Sequence, residues 1–122
     1  MSVGLVSPAL FFVNSDMADF SLNDLAGLIA ARTKGAPAIS YTRSLLDGGA
    51  PRAAKKFGEE SVELIIAALG PDKRAVTGEA ADVLFHFLVL LQSIDLPLEN
   101  VMAELGSRTR QSGLQEKAAR KE

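Results

Sequence analysis

Two pairs of acids carry the chemistry open to this sequence. Glu60-Ser61-Val62-Glu63 and Glu79-Ala80-Ala81-Asp82 each hold two carboxylates three positions apart. On a helix that spacing puts both on one face, a turn apart. Between the pairs, Leu69-Gly70-Pro71-Asp72 reads as a helix stop and a new start. The simplest arrangement is two antiparallel helices whose acid faces meet. Carboxylates without any cysteine make a hard, oxygen-only site, which suits Mg2+ or Mn2+ rather than zinc or copper. Glu60, Glu63, Glu79 and Asp82 are therefore the candidate metal ligands. Ions held there against a polyphosphate would clamp the attacking and leaving oxygens of a phosphoryl displacement and help generate hydroxide. The plain alternative is a pair of solvated acidic helix faces.

The flanking residues have two readings each. Lys56 lies one turn before Glu60, where it meets either a substrate phosphate or only its i,i+4 acid, a pair worth about a few tenths of a kcal/mol. Glu59 points about 100° away from Glu60. It is a support for the ligands, a general base or a surface acid. His86, one turn beyond Asp82, is a metal ligand, a donor to a carboxylate or a satisfied core histidine; its apolar surroundings favour the last two. A ferritin-like di-iron centre needs Glu-x-x-His on two helices. Here Val83 stands three before His86, the single histidine, so redox iron is disfavoured. No P-loop, dinucleotide fingerprint or aromatic-basic interleaving for nucleic acid is present.

The elements that must position these residues read as helices throughout, giving an all-α class. Ser21 with Asp24 resembles a capping box, and Leu22, Leu25, Leu28 and Ile29 follow as a helix to about Arg32. Lys34-Gly35-Ala36-Pro37 ends it. A short helix after Ser40-Tyr41-Thr42 runs to Asp47. Gly48-Gly49-Ala50-Pro51 turns the chain into a helix over about 51–69, with Pro51 in its first turn. Gly58, Val62, Ile65, Ile66 and Leu69 form the expected apolar face of that helix, leaving Glu60 and Glu63 on a wet side. The next helix, about Pro71 to Ile94, is apolar on every side from Val83 to Leu91 and should be buried, drawing at least Asp82 inward. Buried carboxylates need a counter-charge. Asp95-Leu96-Pro97 starts a last helix with Leu98, Val101, Met102 and Leu105 as its apolar face. Beyond Ser107 the chain reads as a polar tail broken by Gly113.

At 122 residues the chain is one domain. Residues 1–20 read as an N-terminal extension, with Phe11, Phe12 and Phe20 either packing as an arm or lying in a loose tail; residues 21–122 form the domain. The apolar run 83–91 implies a core shared with a second subunit. A net charge of −2 gives no extended surface for nucleic acid. The apolar run of 80–91 falls short of the ~20 residues a membrane span needs. Val3 to Val13 mimics a signal core, but no Lys or Arg precedes it and Pro8 interrupts it. The absence of cysteine is compatible with a reducing cytoplasm, the expected location.

Lys55-Lys56-Phe57-Gly58-Glu59-Glu60-Ser61-Val62-Glu63, followed by Glu79-Ala80-Ala81-Asp82-Val83-Leu84-Phe85-His86, closely resembles the phosphoribosyl-ATP pyrophosphohydrolases. These belong to the MazG-like all-α nucleoside triphosphate pyrophosphatases. Ser40-Tyr41-Thr42, Val89-Leu90-Leu91 and the Ser112-Gly113-Leu114 stretch add to the likeness, which spans about residues 21–120. The resemblance implies antiparallel helical hairpins forming a four-helix-bundle-like core, completed by homodimerisation. It implies Mg2+-dependent hydrolysis of phosphoribosyl-ATP at its α–β phosphoanhydride, in histidine biosynthesis. It also implies metal binding by Glu60, Glu63, Glu79 and Asp82, catalytic duties among Glu59, Glu60, Glu63 and Lys56, and substrate contacts at Ser40, Tyr41, Thr42 and Lys56. Gln115 departs from the pattern, where an acid is expected. The competing functions are a house-cleaning nucleoside triphosphate pyrophosphatase and a catalytically silent helical dimerisation module.

Overall fold

Residues 19–32 and 40–120 are described by a computed structural model of the chain, with backbone alone at 32, 40 and 111–120. The turn expected at 34–37 and the arm residues Phe11 and Phe12 lie outside the described residues. Among the described residues five helices follow in order: α1 (Leu22–Arg32), α2 (Ser40–Asp47), α3 (Gly49–Ala68), α4 (Lys73–Ser93) and α5 (Leu98–Arg120). No strand occurs among the described residues, so the chain is all-α as expected.

Local chemistry sets the helix ends. The capping box of α1 is reciprocal: Asp24 N–H donates to Ser21 Oγ at 3.0 Å, and Ser21 N–H donates to Asp24 Oδ2 at 3.1 Å. Asp72 caps α4, its Oδ1 accepting from the N–H groups of Arg74 at 3.0 Å and Ala75 at 3.2 Å. Gly49 opens α3 at a φ of 77°, a conformation glycine adopts without penalty, so the helix starts two residues before Pro51. Asp95 turns the chain from α4 into α5 with a φ of 57°, which a short polar side chain tolerates. Gly113 does not break the last helix, which continues to Arg120. One interior glycine costs about 1 kcal/mol, too little to end a helix by itself.

The frame is the α3–α4 hairpin, which packs along its length, with α1 and α2 laid against α4. Ile29, Leu45, Ala53, Leu88, Val89, Leu91 and Leu98 form the buried core, drawn from all five helices. The apolar face expected on α3 is reversed. Val62, Ile65, Ile66 and Leu69 face solvent, Ile66 with 65% and Leu69 with 85% of its surface exposed. The covered positions are instead Ala53, Phe57, Glu60, Leu64 and Ala67, a stripe of alternating four- and three-residue steps. Phe57 seats against Phe87 of α4, ring centroids 6.1 Å apart. Helix α3 thus has two apolar stripes, and the hairpin closes on the one that contains Glu60.

Helix α4 is the core helix, but within one chain it is not covered on every side. His86, Leu88, Val89 and Leu91 are buried, whereas Leu84 and Asp82 are exposed. By length and composition its 21 residues could cross a membrane. Glu79 and Asp82 in its middle turns and its packing against α1, α2 and α3 mark it as the core helix of a bundle.

Leu45 is wholly buried on α2, where it ties the helix to the core. Replacing it with alanine should lower the free energy of unfolding by about 3 kcal/mol, the usual cost of an emptied leucine site. Urea denaturation monitored by helical circular dichroism measures it.

Candidate metal centre and its surroundings

Closing the hairpin on the Glu60 stripe brings three acids together. One carboxylate oxygen each from Glu60, Glu79 and Asp82 lies within 4.8 Å of the others, close enough for one cation to bind all three. The inward acid is Glu79 rather than Asp82. Glu79 Oε1 is buried and has no hydrogen-bond partner, while Asp82 remains open to solvent. Glu79 stands two turns before Phe87, on the side of α4 that meets Phe57 of α3, whereas Asp82 lies on the His86–Val89 side and is left exposed.

The Glu79 carboxyl is pushed above the ordinary carboxylate value, first by burial, then by the charges of Glu63, Asp82 and Glu60. Glu63 is exposed and outside the three-oxygen cluster, yet close enough to act on Glu79. A buried carboxylate oxygen without a donor, surrounded by other carboxylates, is compensated either by a proton or by a cation. The donor set of three carboxylates fits a hard divalent ion.

Lys56 approaches this cluster from α3. Its Nζ lies 3.4 Å from Glu59 Oε1 and 3.6 Å from Glu60 Oε2. Tyr41 is the strongest influence holding the Lys56 ammonium above its usual value; partial burial opposes this, and Glu59 and Glu60 reinforce it. Arg52, Lys55, Lys56 and Glu59 line a shallow concavity beside the acids. Arg52 and Lys55 thus share one hollow on the α3 surface with Lys56. Arg108 is engaged elsewhere by Glu104 at 2.9 Å.

His86 is no metal ligand. Its Nδ1 lies 2.7 Å from the Asp82 backbone carbonyl oxygen, and its Nε2 lies 2.8 Å from the Tyr41 hydroxyl. The carbonyl can only accept, so Nδ1 carries the proton and Nε2 accepts from Tyr41. The Tyr41–His86 bond joins α2 to α4 and leaves no spacing signal in the sequence. Of the substrate segment, Tyr41 is half-exposed, Thr42 is buried, and the Ser40 side chain lies outside the described residues.

The chain is an all-α hairpin that gathers three carboxylates around one point, with Lys56 at its edge. The family model for phosphoribosyl-ATP pyrophosphohydrolase matches residues 22–109. The chain belongs to that family, whose members are hydrolases of phosphoanhydrides. It is 55% identical over 104 residues to the phosphoribosyl-ATP pyrophosphatase of Rhizobium johnstonii, covering 85% of this chain and 97% of that protein. It is 54% identical over 106 residues to phosphoribosyl-ATP pyrophosphatase 1 of Bradyrhizobium diazoefficiens, covering 87% of this chain and 100% of the relative.

Glu79 gives the metal-free protein a pH dependence of defined sign. Its folded-state value is raised, so its contribution to stability is fully present below the unfolded carboxylate value and is lost as pH rises through the folded one. The melting temperature of chelator-treated protein should fall as pH rises above the ordinary carboxylate range, and fall less steeply in Glu79→Gln. Equal slopes for the two proteins would remove Glu79 as the cause.

Proposed function

We propose that this protein hydrolyses the α–β phosphoanhydride of phosphoribosyl-ATP, giving phosphoribosyl-AMP and pyrophosphate, the second step of histidine biosynthesis, in the cytoplasm. Family membership supports the substrate. The observation that carries the mechanism is the orphaned Glu79 Oε1 inside the three-carboxylate cluster. Glu60, Glu79 and Asp82 would hold Mg2+, or Mn2+ in its place, with Glu63 as the fourth acid at the edge. A bound divalent ion supplies charge neutralisation on the polyphosphate and lowers the pKa of a water.

The chain's own residues divide the remaining work. Glu59 holds Lys56 from outside the cluster, leaving the ammonium between the acids and the neighbouring concavity, where phosphates would lie. Arg52 and Lys55 add positive charge on the same side. Tyr41 offers the exposed surface of the Ser40–Thr42 segment to the nucleotide; Thr42, being buried, supports the segment from within. Little covalent chemistry is needed beyond positioning and charge compensation.

The protein works as a homodimer in this reading. Val62, Ile65, Ile66 and Leu69 make a continuous exposed apolar stripe on α3, beside Glu63. A second copy laid on that stripe would cover it and remove water from the edge of the acid cluster. Ile66→Glu should convert the dimer to monomer in sedimentation equilibrium and leave the helical content unchanged; an unaltered mass would place the interface elsewhere.

Release of pyrophosphate from phosphoribosyl-ATP is the direct test. Turnover should require Mg2+, stop on addition of chelator, and fall by about a thousandfold or more in Glu79→Gln, as expected when a group that anchors transition-state charge is removed. Hydrolysis of a nucleotide panel with phosphoribosyl-ATP left intact would mark a house-cleaning pyrophosphatase instead.

A further inference from the structure

His86 is the single histidine of the chain, it is only 5% exposed, and the proposed chemistry makes no use of it. Both ring nitrogens are nevertheless engaged, in a fixed direction. The Asp82 carbonyl takes the Nδ1 proton at 2.7 Å, which leaves Nε2 as a buried acceptor. The Tyr41 hydroxyl supplies the matching donor at 2.8 Å. Leaving such an acceptor unpaired is costly, so the bond defines where the hydroxyl must stay. The rest of the Tyr41 ring is held as well. It stacks with Phe85 at 6.4 Å and an interplanar angle of 20°, and meets the His86 edge at 5.9 Å and 79°.

Tyr41 is nonetheless 48% exposed. A ring fixed by one hydrogen bond and two ring contacts, yet half open to solvent beside Lys56, is built differently from a core tyrosine. With the hydroxyl proton committed to His86, the oxygen keeps its lone pairs for other donors, and the side chain stays half open. Such a surface can stack on a nucleobase without paying to immobilise the side chain.

We propose that His86 is a positioning residue for substrate binding: its Nδ1–H tautomer, set by the Asp82 carbonyl, holds the Tyr41 hydroxyl and so presents the Tyr41 ring to the purine nucleotide. This rests on the reading of Tyr41 as a substrate contact. It separates two duties on neighbouring turns of α4. The side chain of Asp82 serves the ion, while its backbone carbonyl, through His86, orders the nucleotide end of the site.

Three variants and one spectrum test it. Tyr41→Phe keeps the ring and loses the bond. His86→Asn keeps a donor for the Asp82 carbonyl but no longer reaches Tyr41, and His86→Gln restores an acceptor at the Nε2 position. Tyr41→Phe and His86→Asn should each raise KM for phosphoribosyl-ATP about tenfold with little change in kcat, in line with a lost hydrogen bond that served binding. The double variant should be no worse than either single one, and His86→Gln should recover most of the affinity. A purely structural role would instead lower the active fraction and leave KM unchanged. Because the chain has one histidine, its imidazole nitrogen-15 resonances are unambiguous. They should report Nδ1–H in the native protein, with the Nε2 signal moving in Tyr41→Phe. An Nε2–H tautomer, multiplicative effects in the double variant, or an unchanged KM in His86→Asn would overturn the proposal. The spectrum needs no turnover, so native protein that releases no pyrophosphate would defeat the functional reading while the histidine pairing is still decided.

Discussion

The packing of α3 against α4 places a carboxylate oxygen of Glu79 where neither water nor a protein donor reaches it, with Glu60 and Asp82 as its neighbours. Burial and the neighbouring negative charges raise the cost of ionising Glu79. The hairpin carries this load because it is anchored on both sides of the cluster. Ala53 and Phe57 pack toward the start of α3, Leu64 and Ala67 are covered toward its end, and Glu60 sits between them on the same stripe. Stability is therefore spent at one point of an otherwise apolar seam, at the point where a cation or a proton returns it.

The same seam explains the outer surface. A helix that turns Ala53, Phe57, Leu64 and Ala67 inward must turn Val62, Ile65, Ile66 and Leu69 outward. Those residues extend along more than one turn of α3, a contiguous apolar patch of the kind that monomers seldom leave bare. Had α3 packed by the outer stripe instead, its acids would have faced water, separated from those of α4. Formation of the acid cluster and exposure of the apolar patch are thus two results of one rotation about the α3 axis.

What could be read in the sequence was what is local. The capping box at Ser21 and Asp24 and the break at Leu69 to Asp72 rest on interactions within a few residues, and they appear where the residue types put them. The acid pairs were legible because their spacing matches a helical turn. The partition of α3 was not, since two apolar stripes flank Glu60 and spacing does not say which of them meets α4. The exchange of Asp82 for Glu79 as the inward acid was not legible either, since it depends on which side of α4 meets α3. Gly113 misled because a glycine is a weak terminator when no proline or cap follows it. The Tyr41–His86 bond spans 45 positions, and no local pattern announces a contact of that separation.

The pairing of His86 also bears on the chemistry of the acid cluster. A histidine one turn from Asp82 and two from Glu79 would ordinarily be counted as a possible nitrogen ligand, and nitrogen would widen the choice of metal toward zinc and iron. Here Nδ1 donates to a backbone carbonyl and Nε2 accepts from a phenol, so neither nitrogen has a lone pair to offer. The protein donors at the cluster are consequently all oxygen. An oxygen-only set of carboxylates selects hard cations that keep part of their water shell and accept phosphate oxygens beside it, as Mg2+ does.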